Sequence, residues 1–438
     1  MMIQQTVFGF KIEKSEDSLT AHGGLALLAE YNHGMGLRDL ADRYLPGSGS
    51  NRGYAASSFV DSLVLLLQAG GRRLEDLREL RRESPLLKLV GRDEIPDSDT
   101  VGDWLRRMGD PKTGQAGLGG LGTVRDILTQ RLLRRDERKD YTLDVDAMQV
   151  EGEKQDAKFT YQGVKGYMPM LGYLFEVGIC LLDEFREGNE SPSTGHVAFY
   201  RQCKERMPKE KRIARFRADS ASYQADVINE LEEDHVLWTI TADQDIAVQK
   251  LIKDIPEEAW QRPYSGCDYE LVETVHSMGK TKTSFRLVFK REERRQKSLF
   301  EQEKYFHYAV ATNLGEEKSL QDVLLWHNQR GQAENFNKEL KNGFGQDQMP
   351  CGQIHANAVY FRIGVIAYNL FVGFRRLTCP AAWGRHTIAT FRWKFVQIAG
   401  RIVRHAGQVV LKLAAETDLL TLAHGIRRRC YEESLVTS

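Results

Sequence analysis

The chain has 438 residues, of which 41% are hydrophobic and 28% are charged, and this excludes a disordered tail or a small disulfide-stapled scaffold. Its 61 Lys and Arg residues equal its 61 Asp and Glu residues, so no net charge draws the whole molecule to nucleic acid or to an anionic membrane. Any nucleic-acid interface must therefore depend on locally segregated charge.

Residues 1–138 are predicted to be mostly helical, and the apolar run 59–67 indicates a buried helix within them. Another helix is predicted after a capping residue, Asp97 or Ser98, because the apolar residues between Val101 and Met108 share one face. That helix could read DNA through its terminal arginines, or it could be a plain core helix. The glycine-rich stretch 115–122 indicates a turn or hinge and lacks the lysine of a phosphate-binding loop.

An α/β region is predicted from Tyr141 onward, where strand patterns replace helical ones. Three short strand-like runs lie between Tyr141 and Phe185, and a strand–helix–strand alternation then extends to residue 241. Residues 242–304 interrupt that alternation with a possible helix, Pro and Gly punctuation and two alternating runs. This pattern predicts a β-rich insertion, after which strand character resumes at Tyr305.

The segment Leu324–Lys341 is predicted to be one amphipathic helix. At about 100° per residue, one narrow sector carries four polar residues: His327, Arg330, Glu334 and Lys341. Another sector carries four apolar residues: Trp326, Ala333, Phe336 and Leu340. One face can therefore pack on a core, while the other presents a carboxylate among cationic and polar groups.

A basic C-terminal region is also expected, with helices at Val359–Phe374 and Phe391–Val403. The segment 348–415 contains no Asp or Glu but nine Lys and Arg residues. Within it, Arg392 and Lys394 alternate with aromatic residues, a mixture suited to phosphate contact and base stacking. The alternative is that these aromatic residues belong to the core.

The cellular compartment is indicated by the cysteines and by the apolar runs. Six cysteines are scattered without a CxxC pair, which is typical of a reducing compartment and argues against a thiolate zinc site. The first residues contain no apolar signal core, and the longest apolar run is interrupted by Asn369. We therefore expect a cytosolic protein without a membrane span.

Three acidic residues stand at the ends of separate predicted elements. Asp146 and Asp219 each close a strand, and Glu334 lies on the helix that follows a third strand. Strand-end aspartates are often plain turn or cap residues, but three such carboxylates can hold two divalent cations roughly 4 Å apart for phosphoryl displacement. On spacing alone the first acid could also be Asp144, which lies on the same side of the strand as Asp146.

The motifs around these acids resemble those of DDE transposases of bacterial insertion sequences. The first acid lies in LDVDAM (143–148) and the second in RADSAS (217–222). The third motif of that family is Tyr, two residues, Arg, three residues, Glu, six residues, Lys. Here Arg330, Glu334 and Lys341 keep this spacing, and His327 stands in the place of the Tyr. The resemblance covers residues 141–375, including NAVYFRIGVIAYNL (357–370), and indicates the cut-and-paste group.

The resemblance implies a role for each residue of these motifs. It favours Asp146 over Asp144, and it makes Asp146, Asp219 and Glu334 the catalytic ligands of two Mg²⁺ ions, for which Mn²⁺ can substitute. DNA contacts are then expected from six residues: His327, Arg330, Lys341, Trp260, Arg392 and Lys394. Trp260 would stack on a flipped base of a hairpin intermediate, or else it is a core residue.

The implied fold is α/β, with a ribonuclease-H-like core that a β-rich insertion interrupts. The expected order is a helical DNA-binding or dimerisation region at 1–138, the first half of the core at 139–241, and the insertion at 242–304. The second half of the core then occupies 305–375, and a basic helical C-terminal region occupies 376–438.

The implied function is a transposase that cuts transposon ends and joins them to target DNA by two-metal-ion phosphoryl transfer. Its partners would be the double-stranded terminal repeats and target DNA, with a homodimer in the synaptic complex, in the bacterial cytoplasm and at the nucleoid when acting. Two rival functions are a transposase-derived DNA-binding protein without catalysis and a ribonuclease-H-like nuclease that never joins ends.

Overall fold

The computed structural model describes residues 11–49, 53–112, 115–294 and 304–437. After the short strand β1 (Leu19–Thr20), the N-terminal region is helical, as predicted. Its helices are α1 (Leu25–Gly34), α2 (Leu37–Tyr44), α3 (Ala56–Ala69), α4 (Leu77–Arg82), α5 (Ser84–Leu89), α6 (Ser98–Gly109) and α7 (Gln115–Arg134). Asp97 caps α6, as predicted, since its carboxylate accepts a hydrogen bond of 2.9 Å from the Thr100 N–H.

The glycine-rich stretch 115–122 forms the first part of α7, so the prediction of a turn or hinge was wrong. A Cβ atom on Gly120 would lie 2.2 Å from the carbonyl oxygen of Tyr44, and one on Gly117 would lie 2.5 Å from that of Met108. These glycines therefore allow α7 to pack closely against neighbouring backbone. They do not change the direction of the chain.

The central region contains most of the strands. In chain order its elements are β2 (Asp140–Ala147), β3 (Val150–Glu151), β4 (Lys158–Phe159), β5 (Lys165–Tyr167), β6 (Met170–Leu174), β7 (Ile179–Glu184), α8 (His196–Arg206), β8 (Arg212–Ala218), α9 (Ala225–Glu233), β9 (Leu237–Thr241), α10 (Ile246–Asp254), β10 (Tyr269–His276), β11 (Phe285–Glu293) and β12 (Tyr305–Thr312). Eight of these strands form one sheet in the order β10-β11-β12-β9-β8-β2-β6-β7, and β3, β5 and β4 form a smaller one.

The main sheet is parallel at its centre and antiparallel at both sides. Strand β8 runs parallel to β2 and to β9, while β6 pairs antiparallel with β2, and β12 pairs antiparallel with β9. The strand-like runs predicted within 242–304 form β10 and β11, and these strands extend the same sheet beyond β12. Residues 295–303 of that predicted insertion lie outside the described residues.

The helix predicted for Leu324–Lys341 is broken into two helices. They are α11 (Leu320–Asn328) and α12 (Gly331–Lys338), and a π-helical turn, Glu339–Gly343, follows directly. At the break, the backbone N–H groups of Gln329 and Arg330 bond to carbonyls three residues earlier, at 3.3 and 2.9 Å, which is the tightening typical of a helix end. Because of this break and the π-helical turn, the four polar residues predicted for one sector do not share one regular helix.

Helix α13 (Ile354–Thr378) is the central core helix, and it packs against α3, α6 and α7. Its apolar residues are buried nearly all round, which confirms the predicted helix at 359–374. The apolar face of α6 also lies in this core, which favours the core interpretation of α6 over the DNA-reading one. By length and composition α13 could cross a membrane, but 94% of its apolar stretch is buried within the protein.

The prediction of an entirely helical C-terminal region was wrong. After α14 (Ile388–Phe391) and a π-helical turn (Arg392–Val396), the chain forms β13 (Gly400–His405) and β14 (Gln408–Leu413) before α15 (Thr417–Thr437). A two-residue turn with positive φ, +48° at Ala406 and +78° at Gly407, joins these strands into a hairpin. Strand β1 pairs with β13, so residues from both ends of the chain share one sheet.

A candidate active site at the ends of two parallel strands

Asp146 and Asp219 lie at the same end of two neighbouring parallel strands. The register pairs Asp144 with Arg217 and Val145 with Ala218, so Asp146 and Asp219 stand close to one another where β8 ends. The alternation of β-strand side chains places Asp146 on the same side as Asp144. The sheet therefore brings together two of the three acids that the sequence singled out.

Asp146 is half-buried and carries negative charge close to other negative charge. Burial, and next the charge of Asp219, raises the pKa of Asp146 to about 7. Arg330 opposes this shift, and Glu334 adds to it. Its Oδ2 atom accepts a hydrogen bond of 2.8 Å from the Asn337 side chain, which ties the end of β2 to α12. The charges of the other two predicted acids, Asp219 and Glu334, thus both affect the pKa of Asp146.

Asp219 opens a short 3-10 turn, Ser220–Ser222, and its carboxylate accepts a hydrogen bond of 3.1 Å from the Ala221 N–H. A buried histidine holds the other end of this turn, since Nδ1 of His196 lies 2.7 Å from the Ser222 hydroxyl. The other ring nitrogen of His196 donates to the Pro192 carbonyl at 2.7 Å, so Nδ1 is the acceptor. This chain of bonds fixes the backbone that presents Asp219.

Glu334 lies in the first turn of α12, and its side chain is 64% exposed. Its nearest charged partner is Arg330, whose guanidinium lies 3.5 Å from Oε1. Among the residues that the structure describes, no group of three His, Cys, Asp or Glu side chains lies close enough together to bind one metal ion. The donors are nevertheless carboxylate oxygens, which suit Mg²⁺ and Mn²⁺, and a divalent cation would neutralise the charge that raises the pKa of Asp146.

Asp144 has a different role from Asp146. Its carboxylate forms two hydrogen bonds, 2.7 and 3.0 Å long, with the guanidinium of Arg217, and both side chains are completely buried. Arg217 also donates to the Trp326 carbonyl at 2.9 Å and lies 4.3 Å from the ring centroid of Phe175. A carboxylate engaged in this way belongs to a structural ion pair, which favours Asp146 over Asp144 as the candidate acid.

His327 lies inside the protein and does not face a surface that DNA could reach. Only 1% of the residue is exposed. Its Nδ1 atom lies 2.8 Å from the Thr239 hydroxyl, and its Nε2 atom lies 3.0 Å from the hydroxyls of Thr241 and Tyr308. Burial, together with Arg330 and Arg217, lowers the pKa of His327 to about 3. The structure thus does not support the predicted phosphate contact, because both ring nitrogens are used within the fold.

The other predicted DNA-binding residues divide into buried and exposed ones. Trp260 is buried beside the guanidinium of Arg291, 4.5 Å from its ring centroid, which favours its core interpretation over base stacking. Lys341 is half-buried and donates to the Gln149 carbonyl at 2.8 Å. Lys394 is exposed and donates to Nε2 of His386 at 3.2 Å.

Arg392 has a structural position that the sequence did not reveal. Its guanidinium donates to the carbonyls of Gln68 and Gly343, at 2.9 and 2.6 Å, and also to that of Leu67. Burial lowers its pKa to about 10. It therefore joins the end of α3 to the π-helical turn after α12, and the expectation of a DNA contact is not supported. Phe391 and Phe395 on either side of it are likewise core residues.

A polar cavity that the sequence did not single out is lined in part by β3, the strand that follows β2. It has a volume of about 320 Å³, and its lining includes the cations Arg72, Arg73 and Lys154 together with Glu75 and Glu151. In the sequence, Arg72 and Arg73 merely open a charged segment, and the fold alone brings them to Lys154. Asn337 was also missed, although its spacing of three residues from Glu334 places both on neighbouring turns of α12.

Comparison with known proteins shows the family to which the chain belongs. The chain matches the family model described as Transposase DDE domain group 1 over residues 6–428. A search of curated proteins finds no match. Among solved structures, the chain is similar to a piggyBac transposase determined by cryo-EM in a synaptic complex with hairpin DNA, with a TM-score of 0.50 and 10% sequence identity. That similarity covers 95% of this chain and 84% of the other, and at this identity it shows a shared fold alone.

The family match spans nearly the whole chain and includes all three acids. The protein therefore belongs to the transposases of the family described as Transposase DDE domain group 1.

Proposed function

We propose that this transposase cuts the DNA ends of a bacterial insertion sequence and joins them to target DNA, with Asp146, Asp219 and Glu334 as its catalytic carboxylates. The observation that carries the proposal is the register of β2 and β8, which brings Asp146 and Asp219 to the same edge of the sheet. The Asn337–Asp146 hydrogen bond brings the helix that bears Glu334 to that edge.

The fold we propose for the catalytic region is the ribonuclease-H-like core expected from the sequence. Support comes from the order of the sheet. On one side of β2, β6 pairs antiparallel with β2 and β7 pairs antiparallel with β6. On the other side, β8 and β9 run parallel to β2. Strands β10 and β11, which lie between the second and third acids in sequence, continue this sheet. We infer that they are the insertion that the transposase resemblance implies.

Two divalent cations, Mg²⁺ or Mn²⁺, would supply the charge that stabilises the attacking and leaving oxygens of a phosphoryl displacement. The chain's own contribution is to hold oxygen donors for them: Asp146 at the end of β2 and Asp219 at the start of its 3-10 turn. Glu334 joins this set when its exposed carboxylate turns from Arg330 toward Asp146. Arg330 is then free to bind a phosphate of the DNA strand.

The DNA path that we propose follows the exposed cations around this edge. The cavity with Arg72, Arg73 and Lys154 lies next to β3, the strand that follows Asp146. Lys394 is exposed in the acid-poor C-terminal segment, next to Trp393, a residue that is 80% exposed. Cations bind phosphates without regard to sequence, and an exposed indole offers a surface for base stacking. We further propose hairpin intermediates and a synaptic homodimer.

The test uses the full-length protein with DNA that carries the genomic sequence flanking its gene, in Mg²⁺, with products separated on a denaturing gel. We expect cleavage and joining by the wild type, and a loss of at least 1,000-fold in Asp146→Asn, Asp219→Asn and Glu334→Gln, because each removes a ligand charge. Asp226→Asn is the matched control, since Asp226 is an exposed acid on α9.

The same gel separates the rival functions. Ends that are bound tightly but never nicked would identify a DNA-binding protein without catalysis. Ends that are cut but never joined to a target would identify a nuclease. Normal cleavage by the Glu334→Gln variant would overturn the catalytic set proposed here.

A further inference from the structure

Asn337 has an unusual position for a polar residue. It is only 7% exposed, and its Nδ2 atom donates to Oδ2 of Asp146 at 2.8 Å. The direction of this bond follows from chemistry, because a carboxylate can only accept. The Oδ1 atom of the same amide is buried and has no hydrogen-bond partner within the described ranges of the chain.

A buried carbonyl oxygen without a hydrogen-bond partner is energetically costly, and an ion or a water molecule bound to it would remove that cost. This one belongs to a side chain that is already anchored to Asp146 at the edge of the sheet. Asn337 also lies three residues after Glu334, so this short helix carries both residues on the same side.

We propose that Asn337 is a fourth residue of the cation site, in which its NH₂ group holds Asp146 and its Oδ1 atom is a neutral oxygen donor to the cation. This inference rests on the proposed function. Amide carbonyl oxygens are ordinary ligands of hard divalent cations. A neutral donor adds a ligand without adding a further negative charge beside Asp146, Asp219 and Glu334.

A purely structural Asn337 would have different consequences. If its amide only fastened α12 to β2, its loss would lower the stability of the metal-free protein and leave cation affinity unchanged once the protein is folded. If it only oriented Asp146, then any variant without the NH₂ group would lose affinity. The donor role instead depends on the oxygen.

The experiment titrates Mn²⁺ into the full-length protein, with and without flanking-end DNA, and measures free Mn²⁺ by electron paramagnetic resonance. The unfolding temperature of each variant in EDTA shows whether it is folded. We expect Asn337→Leu, which is close in size, to weaken Mn²⁺ binding at least tenfold. Asn337→Asp keeps the oxygen and is expected to bind Mn²⁺ at least as tightly as the wild type. Asn335→Ala, at an exposed position on the same helix, is the matched control and leaves affinity unchanged.

Two outcomes would overturn the inference. One is wild-type affinity in a folded Asn337→Leu variant, and the other is an equal loss in the Leu and Asp variants, which would mean orientation of Asp146 alone. Asp146→Asn separates this inference from the proposed function. If Asp146→Asn weakens Mn²⁺ binding and the Asn337 variants do not, only the fourth ligand is wrong. If Asp146→Asn has no effect, the cation site itself is misplaced.

Discussion

Asp144 and Arg217 form a completely buried, two-bond ion pair between β2 and β8, each two residues ahead of a proposed catalytic aspartate. The same guanidinium donates to the Trp326 carbonyl and to the Gln329 side chain, at 2.9 and 3.3 Å. One arginine therefore links both acid-bearing strands to the break between α11 and α12. This is the contact that fixes the start of the Glu334 helix relative to the strand ends.

Loss of Arg217 is expected to be severely destabilising. The Arg217→Met variant leaves the Asp144 carboxylate buried without a counter-charge, and breaking a buried pair in this way costs about 3–5 kcal/mol. The measurement is urea unfolding of the full-length protein. Arg212→Met is the control, because its pair with Asp140 lies at the exposed start of the same two strands and is expected to matter little. Equal effects in the two variants would contradict the role given to Arg217.

The pKa of His327 predicts a loss of stability in acid. Its pKa is about 3 in the folded protein and about 6.5 in an unfolded chain, so between these values the unfolded state binds a proton that the folded state refuses. Stability therefore falls as the pH drops through this window, by up to about 1.4 kcal/mol per pH unit. His327→Gln should flatten this slope between pH 6.5 and 4.

A matched variant separates the charge of His327 from its hydrogen bonds. Thr241→Val removes one hydroxyl that contacts Nε2 but keeps the imidazole, so it should lower stability at every pH without changing the slope. Unfolding free energies at several pH values test both variants. An unchanged acid slope in His327→Gln would show that another group causes the loss.

Two adjacent glycines of α7 are predicted to respond in opposite ways to alanine. Gly119 has open space around its Cβ position, so Gly119→Ala should stabilise the protein by up to about 1 kcal/mol through helix propensity. Gly120→Ala would place its methyl group against the Tyr44 backbone and should destabilise by about 1–3 kcal/mol. Thermal unfolding distinguishes the two, and stabilisation by both would refute the close packing described for α7.

Arg392 and Lys394 are two residues apart, but Arg392 is predicted to matter for stability and Lys394 for DNA binding. Arg392→Met leaves buried carbonyls without their donor, so we expect a loss of about 1–3 kcal/mol in unfolding free energy. Lys394→Met should leave stability unchanged, weaken DNA binding and reduce its salt dependence by about one phosphate contact. Fluorescence anisotropy over a range of salt concentrations measures the second effect. A destabilised Lys394 variant with normal DNA binding would contradict this division.

The elements that could be predicted from the sequence are those with local signals. Asp97 caps α6 with its own carboxylate, and α13 is long and strongly apolar, so neither depends on distant contacts. The register that pairs Val145 with Ala218, by contrast, has no local signal in the sequence. It is set by packing across the sheet. No local pattern around Asp146 and Asp219 shows that they meet, and only the family resemblance implied it.

The predictions of DNA contacts by His327 and Arg392 were not supported for the same physical reason. His327 fits a helical face by spacing, but spacing does not show that Thr239, Thr241 and Tyr308 surround it. The sequence predicts Arg392 to be a surface cation, because a basic segment contains no local sign that distant carbonyls accept hydrogen bonds from its guanidinium. Long polar side chains are placed by tertiary contacts, which one sequence does not display.

Helix α13 also constrains the order in which the protein can fold as it is synthesised. It packs against α3, α6 and α7, which leave the ribosome long before residue 354, and against α15, which leaves last. The apolar faces of these early helices therefore remain without α13 while the residues of the main sheet are being synthesised. A chain that stops before residue 354 lacks α13 and leaves those faces uncovered, and we expect it to aggregate.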